Sequence, residues 1–260
     1  MDQCLTSENS CCIRNRYGCI YIHTFPLISR FRSNCYFQQK ISGFTTTGAT
    51  ILGDVEALSH ASMLWRCLMH WVGGMGILVF MLIVLPLAGG QTIYLMRAES
   101  PGPSVSKISP HMRDTALILY AIYFGLTVLQ IILLLLGGMP MFDAICVSLG
   151  TAGTGGFGNW NDSIAHYDSA YLQNVISVFM ILFGINFNAY FLLLTRKFKQ
   201  LFKIEEIRVY LGVIAVFTTL IAFNVRGCFS SLRESFHHSL FQVASIITTT
   251  GFSTVDFNQW

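Results

Sequence analysis

Charge is the scarcest property of this 260-residue sequence, in which only 11% of residues are Asp, Glu, Lys or Arg. A soluble globular domain carries about 25%, so a conventional water-facing surface is excluded over most of the chain. The eight cysteines contain no Cys-x-x-Cys pair, which excludes a zinc ribbon and a haem-attachment motif. Five of them (Cys4, Cys11, Cys12, Cys19 and Cys35) crowd the first 35 residues, and Cys67, Cys146 and Cys228 are scattered among apolar segments. They are expected to be free or buried thiols, with no metal and no structural disulfide. Residues 1–40 show no lasting period of 2 or 3.6 and no apolar run after their basic residues, so they do not read as a secretory signal.

Apolar residues make up 53% of the chain and fall in long blocks. A bilayer core needs about 20 apolar residues per helix. Ser62–Leu87, Thr115–Leu136, Ala170–Thr195 and Ile207–Val225 meet that need. Pro86 and Gly89-Gly90 close the first, and Gly137-Gly138 the second; Arg196, Lys197 and Lys199 follow the third. Met141–Leu149 and Phe236–Ile247 are apolar but too short to span, as expected of re-entrant or buried helices. The fold class is therefore an all-α membrane protein. Its spans hold almost no ionisable groups, and without such groups converging at mid-membrane an enzyme is not expected.

The charged residues are sorted by loop. Residues 89–113 carry Arg97, Lys107 and Arg113 against Glu99, and residues 196–208 carry five Lys/Arg against Glu205 and Glu206. Residues 42–64 and 137–169 contain no Lys or Arg at all. The positive-inside rule puts the two basic loops in the cytoplasm and the other two outside, with two spans between the basic loops as topology requires.

Three segments on that outer side resemble one another: SGFTTTGAT at 42–50, GTAGTGGFG at 150–158 and IITTTGFST at 246–254. They align on Gly48, Gly156 and Gly251. Small or hydroxyl residues precede each glycine, and an acid follows each one: Asp54, Asp162 and Asp256. The unit is helix, short helix, glycine loop, helix, and an internal repeat outweighs any single motif. Irregular backbone at membrane depth is tolerated only where protein buries it or a watery cavity adjoins it. A cation shedding its water needs replacement oxygens, which backbone carbonyls supply. Glycine reaches the backbone angles that turn them inward. The short helix would direct the negative end of its dipole at the ion. No Asp, Glu or His stands between the small residues and the glycine, which favours carbonyl coordination over a proton relay. The candidate ion-binding residues are Thr46, Thr47 and Gly48; Thr154, Gly155 and Gly156; and Thr249, Thr250 and Gly251. A single loop of this kind would more often be a helix C-cap than a filter, and Gly155-Gly156 could serve close helix packing. Three in one context point to a pore. Asp54, Asp162 and Asp256 read either as N-caps of following helices or as outer-mouth charges that concentrate cations. Asn186 and Asn188 lie within a span, as interhelical glue or as braces for a loop. His70, His111, His166, His237 and His238 show no ligand spacing.

These residues resemble the Trk/Ktr/HKT potassium-uptake family. The match is carried by SGFTTTGATIL at 42–52, HWVGGMGIL at 70–78, RAESPGP at 97–103, Ala152–Phe157, GINF at 184–187 and Phe241–Phe252, and it covers about residues 41–260. The resemblance implies pseudo-repeats, each M1–P-loop–M2, around a central pore, with one filter glycine per repeat and four repeats in all. On that plan residues 1–40 are an atypical N-terminal segment, 41–90 hold the filter loop and M2 of repeat 1, 91–200 are repeat 2, and 201–260 are repeat 3 without its M2. The fourth repeat is missing from this incomplete ring, so a truncated or frame-disrupted product is expected. The implied function is potassium uptake across the plasma (bacterial inner) membrane by a multi-pass protein, driven by membrane potential or as a symporter. The alternatives are a non-conducting remnant and a sodium/potassium-permeable relative. Family members with Ser at the first filter glycine lean toward sodium, so Gly48 implies potassium. The resemblance further implies a homodimer and a cytoplasmic nucleotide-binding regulatory subunit of the TrkA/KtrA type docking on the basic loops. It implies contact with membrane lipids and none with nucleic acid. K+ is the transported ion, and no cofactor is expected in this chain.

Overall fold

The computed structural model describes residues 13–15, 18–20, 39–50, 52–76, 112–194, 204–255 and 260. The second half of the first apolar run, the motif at 97–103, most of both basic loops, most of residues 1–40 and Asp256 lie outside the described residues. Among those described, every element longer than four residues is an α-helix: α1 (His60–Gly74), α2 (Met112–Leu136), α3 (Met141–Ala152), α4 (Ala170–Phe183), α5 (Phe187–Leu194), α6 (Glu205–Asn224) and α7 (Leu232–Ile247). A 3-10 turn covers Ser163–His166, residues 39–44 are helical, and a small antiparallel hairpin pairs β1 (Ile13–Asn15) with β2 (Gly18–Ile20).

The two longest helices fall where apolar runs predict them. At 1.5 Å per residue, α2 is about 37 Å long and α6 about 30 Å, enough to cross a hydrocarbon core. Their outward faces are apolar: Leu117, Phe124, Leu129 and Leu136 on α2, and Val209, Val216, Phe217 and Phe223 on α6, are all exposed. Such surface suits a lipid surrounding and not water. The interior lies between α3, α4 and α7, where Val147, Ile176, Met180, Phe241, Ala244 and Phe252 form one buried cluster. In lipid no hydrophobic drive holds helices together, so close packing and internal hydrogen bonds must do so. Gln130 of α2 supplies one such bond, donating to Thr151 Oγ1 of α3 at 3.1 Å.

Two elements depart from the sequence expectation. The run Ala170–Thr195, expected as one span, breaks after Phe183 and restarts as α5. Gly184 sits at the break, where a β-carbon would collide with the Tyr210 hydroxyl and sit 2.7 Å from Thr248 Cγ2. Carbonyls near the break are met by tyrosines, with Tyr190 donating to Leu182 O at 2.6 Å and Tyr210 to Ile181 O at 3.3 Å. Unmet backbone groups at membrane depth cost several kcal/mol, roughly speaking, so these hydroxyls make the break tolerable. The third short helix begins at Leu232 and not at Phe236. Ser231 caps it by accepting from Glu234 N at 3.2 Å, and the Glu234 carboxylate accepts from Ser230 N at 3.2 Å. This is a Ser-x-x-Glu capping box shifted by one residue at its return bond.

Candidate cation-binding loops

Each glycine loop grows out of the C-terminus of a short helix: residues 39–44, α3 and α7. All three ends use one hydrogen-bond scheme. Thr46 N donates to Gly43 O and Thr47 N to Ser42 O, at 3.2 and 3.0 Å. Thr154 N and Gly155 N do the same to Thr151 O and Gly150 O, at 3.0 and 3.1 Å, and Thr249 N and Thr250 N to Ile246 O and Ser245 O, at 3.0 and 2.9 Å. These are Schellman motifs, whose left-handed residue is ordinarily glycine. Here it is threonine each time, with φ of 53° at Thr46, 51° at Thr154 and 57° at Thr249. A β-branched residue in that region is an outlier and stores strain. Two residues on, Gly48, Gly156 and Gly251 are again left-handed, at 73°, 71° and 84°. The hand thus alternates across three successive residues. In ordinary extended chain successive groups point to opposite sides; alternating the hand can bring successive carbonyls to one side.

The loops are neighbours. A β-carbon on Gly48 would fall on the Gly155 carbonyl oxygen, and one on Gly156 would fall on the Thr250 carbonyl oxygen. Gly155 and Thr250 hold equivalent places in their loops, so a single contact type joins the first loop to the second and the second to the third. Around Gly251 an added β-carbon would meet nothing within 4 Å among the described residues. The chain leaving each loop is stapled in the same order. Asn161, beyond the second loop, donates from Nδ2 to Asp54 Oδ1 at 2.8 Å and accepts from Val55 N at 3.0 Å. Ser253 O, beyond the third, accepts from both Ile164 N and Ala165 N at 3.1 Å.

The sequence-predicted acids take different places. Asp54 caps no helix; Ser59 is the N-cap of α1, and Asp54 instead accepts from Glu56 N and Asn161. The Asn161 amide, and then the Glu56 N–H, holds the Asp54 carboxyl below its ordinary pKa. Asp162 precedes the 3-10 turn without a side-chain capping bond, so the capping alternative is not met there either. Asp256 lies outside the described residues. Asn186 sits in the break between α4 and α5 and donates to Glu206 Oε2 of α6 at 3.3 Å. The Asn188 side chain is outside the described set. Cys67, Cys146 and Cys228 are free thiols.

Residues near the loops that the sequence did not single out include Asp143 and His70. Asp143, in the first turn of α3, is buried and gathers Asn159 Nδ2 at 2.6 Å, Tyr167 OH at 2.6 Å and Trp160 Nε1 at 3.4 Å, tying the helix start to the chain beyond the loop. His70 of α1 is fully buried against the second loop, with its ring stacked on Phe157 at 3.8 Å. The available signal was the pair Gly153 and Gly155, where the other two loops carry threonine.

Residues 20–260 match the TrkH family, described as cation transport protein. The chain belongs to that family. It is 37% identical over 229 residues to the Trk system potassium uptake protein TrkH of Salmonella typhimurium, covering 86% of this chain and 47% of that protein. It is 35% identical over 249 residues to the Trk system potassium uptake protein TrkG of Escherichia coli, covering 92% and 51%. The crystal structure of the potassium transporter TrkH from Vibrio parahaemolyticus superposes with a TM-score of 0.72 at 28% identity, over 87% of this chain and 46% of that one. This TrkH-family chain thus spans about half the length of the relatives it matches. The family is described as one of cation transport proteins.

Proposed function

We propose that this chain forms three sides of a carbonyl-lined filter through which potassium enters the cell. The observation that carries the reading is the repeated contact: the first loop's glycine abuts the Gly155 carbonyl, and the second loop's glycine abuts the Thr250 carbonyl. One relation applied twice fits segments arranged about a shared axis. Thr46, Thr47 and Gly48, Thr154, Gly155 and Gly156, and Thr249, Thr250 and Gly251 then present oxygens to a dehydrated monovalent cation. The left-handed threonines support this, because strained backbone persists where surrounding structure over-determines it, and such places cluster at functional sites. The names of the TrkH and TrkG relatives support potassium as the cargo.

On this reading the pseudo-repeats are M1–P-loop–M2 units, and a further loop closes the ring beside Gly251. Asp54, Asp162 and Asp256 lie at the outer mouth of a multi-pass protein of the bacterial inner membrane. The basic segments at 89–113 and 196–208 face the cytoplasm and receive a nucleotide-binding regulatory subunit, and two such transporters pair as a homodimer.

The test is ion selectivity. Purified in detergent, the chain should be protected against thermal unfolding by KCl at concentrations where NaCl, at constant ionic strength, gives no protection. In cells lacking their own potassium uptake, Gly48→Ser should shift the preference of the transport pathway toward sodium. Equal protection by K+, Na+ and choline would overturn the filter reading.

A further inference from the structure

The three loops share one backbone, yet the second is built without the side chains that shape the other two. In the first, Ser42 Oγ donates to Ala49 O at 2.7 Å, and the Thr45 and Thr47 hydroxyls pair at 2.7 Å. The third repeats this with Ser245 Oγ to Phe252 O at 2.6 Å and Thr248 to Thr250 at 2.7 Å. The equivalent positions in the second loop are Gly150, Gly153 and Gly155. None could carry a side chain. A β-carbon on Gly150 would lie 2.7 Å from Phe157 O, one on Gly153 would run into the His70 carbonyl, and one on Gly155 into the His70 imidazole.

At Gly153 and Gly155 helix α1 occupies that space. The His70 ring takes the place of the hydroxyl pair and presses on Gly155, and its face stacks on Phe157 at 3.8 Å and 17°. Gly155 and Phe157 flank the filter glycine, so one imidazole grips both sides of Gly156. One turn earlier on the same helix, Cys67 Sγ approaches Phe157 O at 3.9 Å, the place the serines serve in the other loops. Among the described residues neither His70 nitrogen completes a well-formed hydrogen bond, and the Ser42 backbone is the polar group in weaker reach, so the ring acts on the second loop through shape and contact.

We infer that His70 is the positioning residue of the second loop: its imidazole, supplied from α1, replaces the loop's missing hydroxyl pair and sets the register of the carbonyls around Gly156, and with it the discrimination between K+ and Na+. The inference rests on the filter reading above and adds the element that holds one side of the filter.

Two measurements on the purified chain decide it. The first is a double-mutant cycle on melting temperature with His70→Ala and Gly155→Ser. Alone, Gly155→Ser should lower Tm; in the His70→Ala background the serine fills vacated space, and the two effects should fall short of additivity by about 3 °C or more. The second is the ratio of K+ to Na+ concentrations giving half-maximal thermal protection. His70→Ala should erode the K+ preference about tenfold, and adding Gly155→Ser should restore part of it, because a hydroxyl is returned at the position of Thr47 and Thr250. A residue that merely fills the core would move Tm without moving that ratio. If His70→Ala does not fold, His70→Gln carries the same cycle. Additive effects, or a K+ preference unchanged by loss of the imidazole, would overturn the role of His70 and leave the filter standing. A wild-type chain that does not distinguish K+ from Na+ overturns the filter reading instead, and the cycle still decides whether His70 shapes the loop.

Discussion

The first and third loops are held from within, whereas the second is held from outside. The Ser42 and Ser245 hydroxyls donate to their own loops' backbone, and the hydroxyls of Thr45 with Thr47 and of Thr248 with Thr250 pair with each other. The second loop has glycine at all three places and leans, through Gly155 and Phe157, on Cys67 and His70 of α1. The same dihedral pattern is therefore reached by two chemistries. The shared backbone fixes the shape of each loop and not the residues that enforce it. The second loop lies between the other two and receives α1, whose Gly74 allows the close approach, while Gly73 allows α1 to approach the first loop. A β-carbon on Gly73 would strike Phe44 O, and one on Gly74 would lie 2.8 Å from both Gly153 Cα and the Tyr123 hydroxyl. Small residues at helix contacts serve this end in membranes.

The sharpest way to break the comparison is to add one methyl group at each of Gly48, Gly156 and Gly251. All three glycines have positive φ, so alanine costs about 1–2 kcal/mol of backbone strain at each. At Gly156 and Gly48 the new carbon would also fall on a neighbouring loop's carbonyl oxygen, whereas at Gly251 it would meet nothing among the described residues. Overpacking of this kind adds about 1–3 kcal/mol. Gly156→Ala and Gly48→Ala should thus destabilise by about 3 kcal/mol or more, and Gly251→Ala by about half that, in denaturant or thermal melts of the purified chain. Equal losses at all three would mean that the loops do not abut in the order proposed.

A smaller effect separates internal from external support. Ser245 is fully buried, and its loss leaves Phe252 O without that donor. An unmet buried group costs about 1–3 kcal/mol, so Ser245→Ala should fall in that range. Cys67→Ala removes only a weak thiol contact at 3.9 Å and should cost less, through lost packing. A larger loss at Cys67 than at Ser245 would reverse the assignment of which loop relies on its own side chains.

How much of this could be read from the sequence follows from distance along the chain. The glycine loops, the spans α2 and α6 and the short helices α3 and α7 are local patterns of period, composition and punctuation, and they fall close to where such patterns put them. The break at Gly184 was not legible, because an apolar run gives no sign of a tyrosine arriving from α6. His70 was not legible as a loop brace, because its partner Gly155 is on another helix hairpin; only the substitution of glycine for threonine hinted at it. The capping box at Ser231 and Glu234 was legible in principle, since Ser-x-x-Glu precedes an apolar run, but the helix start was placed by hydrophobicity alone. Asp54 invited two local readings, and its hydrogen-bond partner Asn161 lies 107 residues away.

That clasp gives the mildest prediction. Asn161 and the Glu56 N–H favour the ionised Asp54 carboxylate, so its folded pKa lies below the ordinary value of 3.8. A depressed carboxylate contributes stability that is fully present above its unfolded pKa and is lost as pH falls through the folded one. The bond between the first and second loop exits should hold at neutral pH and weaken only in acid, below about pH 4. Asn161→Ala should remove the main cause and raise the Asp54 pKa toward 3.8, read by NMR titration of the labelled carboxyl. Because Asp54 is exposed, water and salt screen the interaction, and the change in overall stability should be slight. The informative readout is local: hydrogen exchange at Val55 and Asn161, whose N–H groups close the clasp at 3.0 and 3.1 Å, should quicken in the variant while exchange in α3 and α7 stays unchanged. Quickening throughout the second loop would mean that the outer clasp, and not the α1 brace, holds that loop in place.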